Sequence, residues 1–167
     1  MAKEHVAEGT GPQVRLGIST CLLGQNVRYN GGHQLDRYLV NTLGQYVEWV
    51  PVCPEVEIGL PVPRESMRLV GDPEEPRLVA PRSGQDYTER MQTWAKRRLD
   101  ELAEVQLHGF VFERGSPSSG LYRVRVYNEK GNPVPTGTGI FPREAMRRFP
   151  LLPLEEDAFA DGLNPYA

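Results

Sequence analysis

Thiols are scarce in this chain: its 167 residues include two cysteines. That is too few for a disulfide-stapled scaffold, and in a reducing compartment such thiols serve packing, metal binding or catalysis. Long apolar runs are missing as well. None approaches the ~20 residues that span a bilayer, and the opening Met-Ala-Lys-Glu-His-Val-Ala-Glu-Gly lacks the apolar middle of a secretory signal. The chain therefore reads as cytoplasmic, with no membrane partner. Nor is there an excess of positive charge. A formal net charge of -3 argues against duplex nucleic acid held by phosphate neutralisation, and leaves a small neutral or anionic ligand as the natural partner class. What is present is an ordinary globular mixture, 39% hydrophobic and 25% charged, long enough for one domain with a sizeable core.

Periodicity orders the elements. Residues 1–13 are polar and carry Gly9, Gly11 and Pro12, the pattern of a loose leader. Val14-Arg15-Leu16-Gly17-Ile18 alternates as a short strand, and Leu35, Leu39 and Leu43 recur at helical spacing before Gly44. Residues 46–52 are rich in β-formers and complete a β-α-β unit, so the first two strands are predicted to be parallel. A proline-rich stretch, residues 61–84, predicts a hairpin or flap with strands at 67–70 and 77–79. Asp86 and Glu89 suggest a capping box for a long helix to Val105, with Met91, Ala95, Leu99 and Leu102 on one face. A buried strand follows at 108–112, and the alternation around Val124 and Val126 reads as an edge strand rather than an RNA-contacting one. A helix over 141–149 and a strand over 151–154 complete the domain. The sum predicts an α/β domain over residues 14–155, with a three-layer, Rossmann-like, mostly parallel sheet, flanking helices and the Pro-rich flap, and a C-terminal arm over 156–167.

Three Gly/Pro-rich corners directly follow apolar runs: Ser19-Thr20-Cys21-Leu22-Leu23-Gly24, Pro51-Val52-Cys53-Pro54-Glu55 and Ser116-Pro117-Ser118-Ser119-Gly120. In an open α/β sheet the carboxyl ends of the strands line a crevice where ligands bind, so corners distant in sequence can converge there. Both thiols sit on such corners, whereas a cysteine kept for packing belongs inside an element. Read from the residues alone, the pair fits zinc, an iron-sulfur centre or a disulfide. Glu55 fits a helix cap, and Ser116 fits the shaping of a Ser-Pro turn. Arg28 and Arg64 suit salt bridges or a carbonyl oxygen, His33 suits a turn, and Gly137-Thr138-Gly139 suits a tight connection.

Taken together, Cys21-Leu22-Leu23-Gly24 with Val27-Arg28-Tyr29, Gly31-Gly32-His33, Pro51-Val52-Cys53-Pro54-Glu55, Gly59-Leu60 and Pro63-Arg64-Glu65 closely resemble the thiouracil desulfidase family, once a bacterial family of unknown function. The likeness continues through Glu113 to Gly120 and on to Leu154. It implies a 4Fe-4S cluster on three cysteines, matching Cys21, Cys53 and position 119, with one iron open to the sulfur of a thiolated pyrimidine. It also implies a catalytic carboxylate at Glu55, a substrate-orienting hydroxyl at Ser116, and substrate contacts at Ser118 and Gly120. Position 119, a cysteine in the family's usual Ser-Pro-Ser-Cys-Gly corner, is Ser119 here. Cysteine is a soft donor ionising near pKa ~8.5, whereas a serine hydroxyl is hard and far less acidic. The resemblance therefore predicts a desulfidase with a labile or absent cluster, with a cluster-less nucleobase-binding module as the alternative.

Overall fold

A computed structural model describes residues 13–157. Residues 1–12 of the predicted leader and residues 158–167 of the predicted arm lie outside the described residues. The first sheet contains β1 (Val14–Ser19), β2 (Val47–Val52), β5 (Gly109–Phe112) and β8 (Leu154–Glu156) in the order β2-β1-β5-β8. Every pairing in it is parallel, with Ser19 opposite Val52 at the carboxyl end of the β1–β2 ladder. Because both faces are covered, β5 is buried at all four positions, as parallel strands are. Ile18 and Val111 face a cluster with Leu22 and Leu39 on one side. Phe110 and Phe112 face a larger cluster on the other. There Phe141 meets both phenylalanines edge-on, with centroids 5.6 and 6.0 Å away. The three-layer α/β arrangement is the one the periodicity predicts.

The helices are α1 (Arg37–Asn41), α2 (Pro54–Glu57), α3 (Thr88–Val105) and α4 (Ile140–Arg148). Asp36 caps α1, its carboxylate accepting from Leu39 N at 3.1 Å. The predicted capping box on α3 does not form. Asp86 is instead held outward by the Arg77 guanidinium, 2.5 Å away, and accepts from Thr88 N, so the helix starts at Thr88. Among the described residues no helix is long and apolar enough to cross a membrane.

The proline-rich stretch does fold as a hairpin of β3 (Arg68–Val70) and β4 (Arg77–Val79). It is not isolated. With β6 (Val124–Tyr127) and β7 (Pro133–Gly137) it makes a second four-stranded sheet, ordered β4-β3-β6-β7. The Val124 strand, predicted to lie at an edge, is therefore interior, and its valines join Leu69 and Leu78 in the larger cluster. The last strand begins at Leu154 rather than Leu151, which is 95% exposed in a turn. Glu156, placed by sequence in the C-terminal arm, is fully buried in β8 and accepts from Tyr122 N at 2.6 Å.

Candidate active site

Three neighbouring parallel strands, β2, β1 and β5, end on the same side of the sheet, and each delivers a reactive side chain just past its last residue: Cys53, Cys21 and Glu113. The chain winds outward from β1 to β2 and then crosses back to β5, so β1 and β5 flank a topological switch point, where open α/β sheets bind ligands. A cavity of about 430 Å3 lies there, lined by Cys21, Cys53, Glu55, Glu113, Ser116, Ser118 and Ser119 among others. That volume falls within the range of about 300–1,000 Å3 usual for small-molecule sites.

After β1 the chain makes a single 3-10 turn, Thr20–Leu23, that buries Cys21. Its Sγ donates to Glu113 Oε2 at 3.0 Å. Burial first, then the Glu113 carboxylate, push the Cys21 thiol far above its ordinary range. Cys53 stands at the N-cap of α2, with Pro54 in the first turn where its missing N–H costs nothing. Burial raises the Cys53 thiol too, opposed by the Val56 amide and by Arg64.

The two carboxylates are held differently. Glu55 Oε2 accepts from Arg64 Nη2 at 2.6 Å and Nε at 3.2 Å. The Arg64 side chain is itself 3% exposed and also donates to the carbonyls of Val27 and Pro61. It thereby ties the Glu55 corner to the loop that follows Cys21, and leaves Glu55 Oε1 without a hydrogen bond to another described residue. Glu113 bridges Cys21 and Arg28, whose Nε lies 3.1 Å from Oε1, while the Glu113 amide donates to Ser19 Oγ at 2.9 Å. Burial raises its carboxyl above the ordinary range, against the pull of Cys21 and Arg28.

The third corner is a loop clamped from within and from below. Ser116 Oγ accepts from Ser118 N at 3.3 Å and Ser119 N at 3.1 Å, and shares a hydrogen with Ser118 Oγ at 3.1 Å. Phe141 N and Gly139 N, at the start of α4, donate to the carbonyls of Ser118 and Gly120. The backbones approach so closely that a Cβ on Gly139 would lie 2.9 Å from Ser119 N, and one on Gly120 would lie 2.7 Å from Ser116 O. Gly120 is thus the floor of the loop and not part of the cavity wall, whereas Ser116, Ser118 and Ser119 border the cavity. Sequence reasoning missed Glu113. Its signal was a carboxylate placed directly after an all-apolar strand.

The convergence of these three corners on one cavity is matched by the likeness to known proteins: the sequence model of the 2-thiouracil desulfurase family fits residues 16–157. The chain belongs to that family. A Bacillus subtilis (strain 168) relative, the uncharacterized protein YbbK, is 29% identical over 128 residues, spanning 74% of this chain and 83% of its own. A solved structure, the 4Fe-4S-dependent thiouracil desulfidase TudS, superposes with a TM-score of 0.70 at 28% identity, covering 89% of this chain and 94% of that one.

The donors in this member of the desulfurase family do not fit a three-thiolate cluster. Its cavity offers two thiols and the hydroxyl of Ser119, which is 4% exposed and has no side-chain hydrogen bond to another described residue. Among the described residues, no group of three or more His, Cys, Asp or Glu is arranged to hold a metal ion. Two soft sulfurs fall one short of a three-thiolate set, and a serine hydroxyl is a hard oxygen donor.

Proposed function

We propose that the cavity binds a thiolated pyrimidine such as thiouracil and exchanges its sulfur for the oxygen of water, the carbon–sulfur double bond becoming carbonyl as sulfide leaves. The observation that carries this reading is the meeting of Cys21, Cys53, Glu55 and the Ser116–Ser119 corner on the walls of one cavity. Glu55 is the base. Its free Oε1 takes a proton from the incoming water while Arg64 fixes the rest of the carboxylate, and general base work needs that kind of hydrogen-bond reach. Ser116 acts through the loop, its hydroxyl holding the amides of Ser118 and Ser119 and so setting the wall against which the ring lies. Cys21, Cys53 and Ser119 occupy the cluster-ligand positions, and the hydroxyl makes any cluster there weakly held.

Ser119 also favours a second reading, in which the cavity recognises a nucleobase without a cluster or turnover. Anaerobic reconstitution with iron and sulfide separates the two when the natural chain is compared with Ser119→Cys. In the desulfidase reading, Ser119→Cys gains stable iron-sulfur absorbance and releases sulfide from thiouracil, with the natural chain retaining less of both. Binding of thiouracil by both proteins with sulfide released by neither favours the binding module. Folded proteins that neither bind nor turn over thiouracil defeat both readings.

A further inference from the structure

The reading just given leaves open how the cavity would choose its ring. Along the wall that joins the ends of β1 and β5, three side chains stand in a fixed row. Cys21 Sγ is 3.0 Å from Glu113 Oε2, and Glu113 Oε1 is 3.1 Å from Arg28 Nε. From the thiol outward the row runs sulfur position, hydrogen-bond acceptor, hydrogen-bond donor. Glu113 Oε2 keeps a further lone pair, because Cys21 occupies one, and Oε1 meets Arg28 as an ion pair rather than through a hydrogen bond. Arg28 pairs with Glu113 through its charge at Nε and donates from Nη1 to Gln34 Oε1 at 3.2 Å, which leaves Nη2 without a partner among the described residues. All three residues line the cavity.

On a thiouracil ring the atoms next to the sulfur follow in the complementary order. Going round from the thiocarbonyl come a ring N–H, which donates, and then a carbonyl oxygen, which accepts. We infer that Glu113 and Arg28 are specificity-determining residues that read this edge, Glu113 accepting from the ring N–H beside the thiocarbonyl and Arg28 donating to the carbonyl beyond it, with the sulfur directed toward Cys21. The inference rests on the proposed thiopyrimidine site and adds the orientation of the ring and the class it admits. The order matters because thiocytosine reverses it: beside its thiocarbonyl stands a bare ring nitrogen, an acceptor, followed by an amino group, a donor. With the sulfur held at the thiol end and this edge against the wall, both contacts become mismatched, and turning the ring over restores an N–H to Glu113 but leaves Arg28 facing a C–H. A buried polar group left without its partner is what makes such sites selective. A methyl on the same ring nitrogen removes the N–H and fills the space before Glu113.

Calorimetric titration of the full-length protein with 2-thiouracil, uracil, 2-thiocytosine and 3-methyluracil tests this, because it reads binding without turnover. The expected result is that 2-thiouracil binds at least about tenfold more tightly than 2-thiocytosine, and uracil at least about tenfold more tightly than 3-methyluracil. In Glu113→Gln, whose amide presents either a donor or an acceptor, the preference for 2-thiouracil over 2-thiocytosine shrinks to within about threefold. Tight 2-thiouracil binding without preference over 2-thiocytosine overturns this inference and leaves the proposed function standing. So does a preference that Glu113→Gln, with its melting transition intact, leaves unchanged. No binding of 2-thiouracil or uracil to the folded natural chain overturns the proposed function, and the inference with it. The ligand comparison on the natural chain does not depend on any variant folding.

Discussion

Buried charge is concentrated at the strand ends, and its partners decide what each group can do. Arg64 satisfies Glu55 with two hydrogen bonds and anchors itself on two carbonyls, so that pair is a rigid part of the cavity wall. Glu156 is less well provided for. It is fully buried, one oxygen accepts from Tyr122 N, and the other has no partner. Burial therefore raises its carboxyl above the ordinary 4.5. Across the interval between 4.5 and that higher folded value, the native state binds a proton that the unfolded chain has released. Its contribution to stability is full below 4.5 and is lost as the pH rises through the folded value. Glu156→Gln, which cannot ionise, is expected to show a flatter decline than the natural chain over that interval when denaturant midpoints are measured as a function of pH. At this scale the corners that bring the thiols and serines to one cavity were legible in the sequence, because Gly and Pro mark them, whereas Glu55 and Ser116 stood out only through the family resemblance. Glu113 was not legible. The adjacent opposite charges of Glu113-Arg114-Gly115 look solvated until the sheet shows which strand ends beside them.

Among the elements, β1 and β5 fit each other through an unequal exchange of volume. Gly17 sits across from Phe110 in the parallel ladder, and a Cβ on Gly17 would fall 2.1 Å from the ring atom Cδ2. Phe110 stacks on Phe112 at 4.3 Å between centroids, so it has little room to retreat. Gly17→Ala is therefore expected to destabilise the fold by about 2 kcal/mol or more, as overpacking does, measured by chemical denaturation. The same change displaces the strand end that presents Cys21. Sequence pattern found β1 through alternation, α3 through a helical stripe, β5 through a continuous apolar run and α4 through Pro142 at its first turn. It placed the start of α3 too early, since the Asp86 carboxylate that suits a helix cap is drawn away by Arg77. Local propensity also stretched the final strand back to Leu151, where nothing lies alongside to pair with it and the side chain is left in solvent.

For the whole molecule, the second sheet is what the sequence kept hidden. Its strands β3 and β4 are three residues each, too short for an alternating pattern to show which face is buried, and β3 pairs with β6 from a remote part of the chain. Only the tertiary structure joins them. Leu69, Leu78, Val124 and Val126 then share one core with Phe112 and Leu99. Hydrogen exchange checks this joint burial. The amides of Leu69 and Val126 are expected to exchange in the same slow class as those of Phe110 and Val111, whereas an independent flap would exchange several orders of magnitude faster.

The clamp beneath residues 116–120 has a further consequence. Gly120 and Gly139 press main chain against main chain, and the amides of α4 grip the loop carbonyls, so the backbone carrying residue 119 has no slack with which to answer a change in its side chain. The position works as a socket with a fixed rim and an interchangeable contact. Trading oxygen for sulfur there swaps the chemical character of the hollow while the scaffold around it keeps its shape.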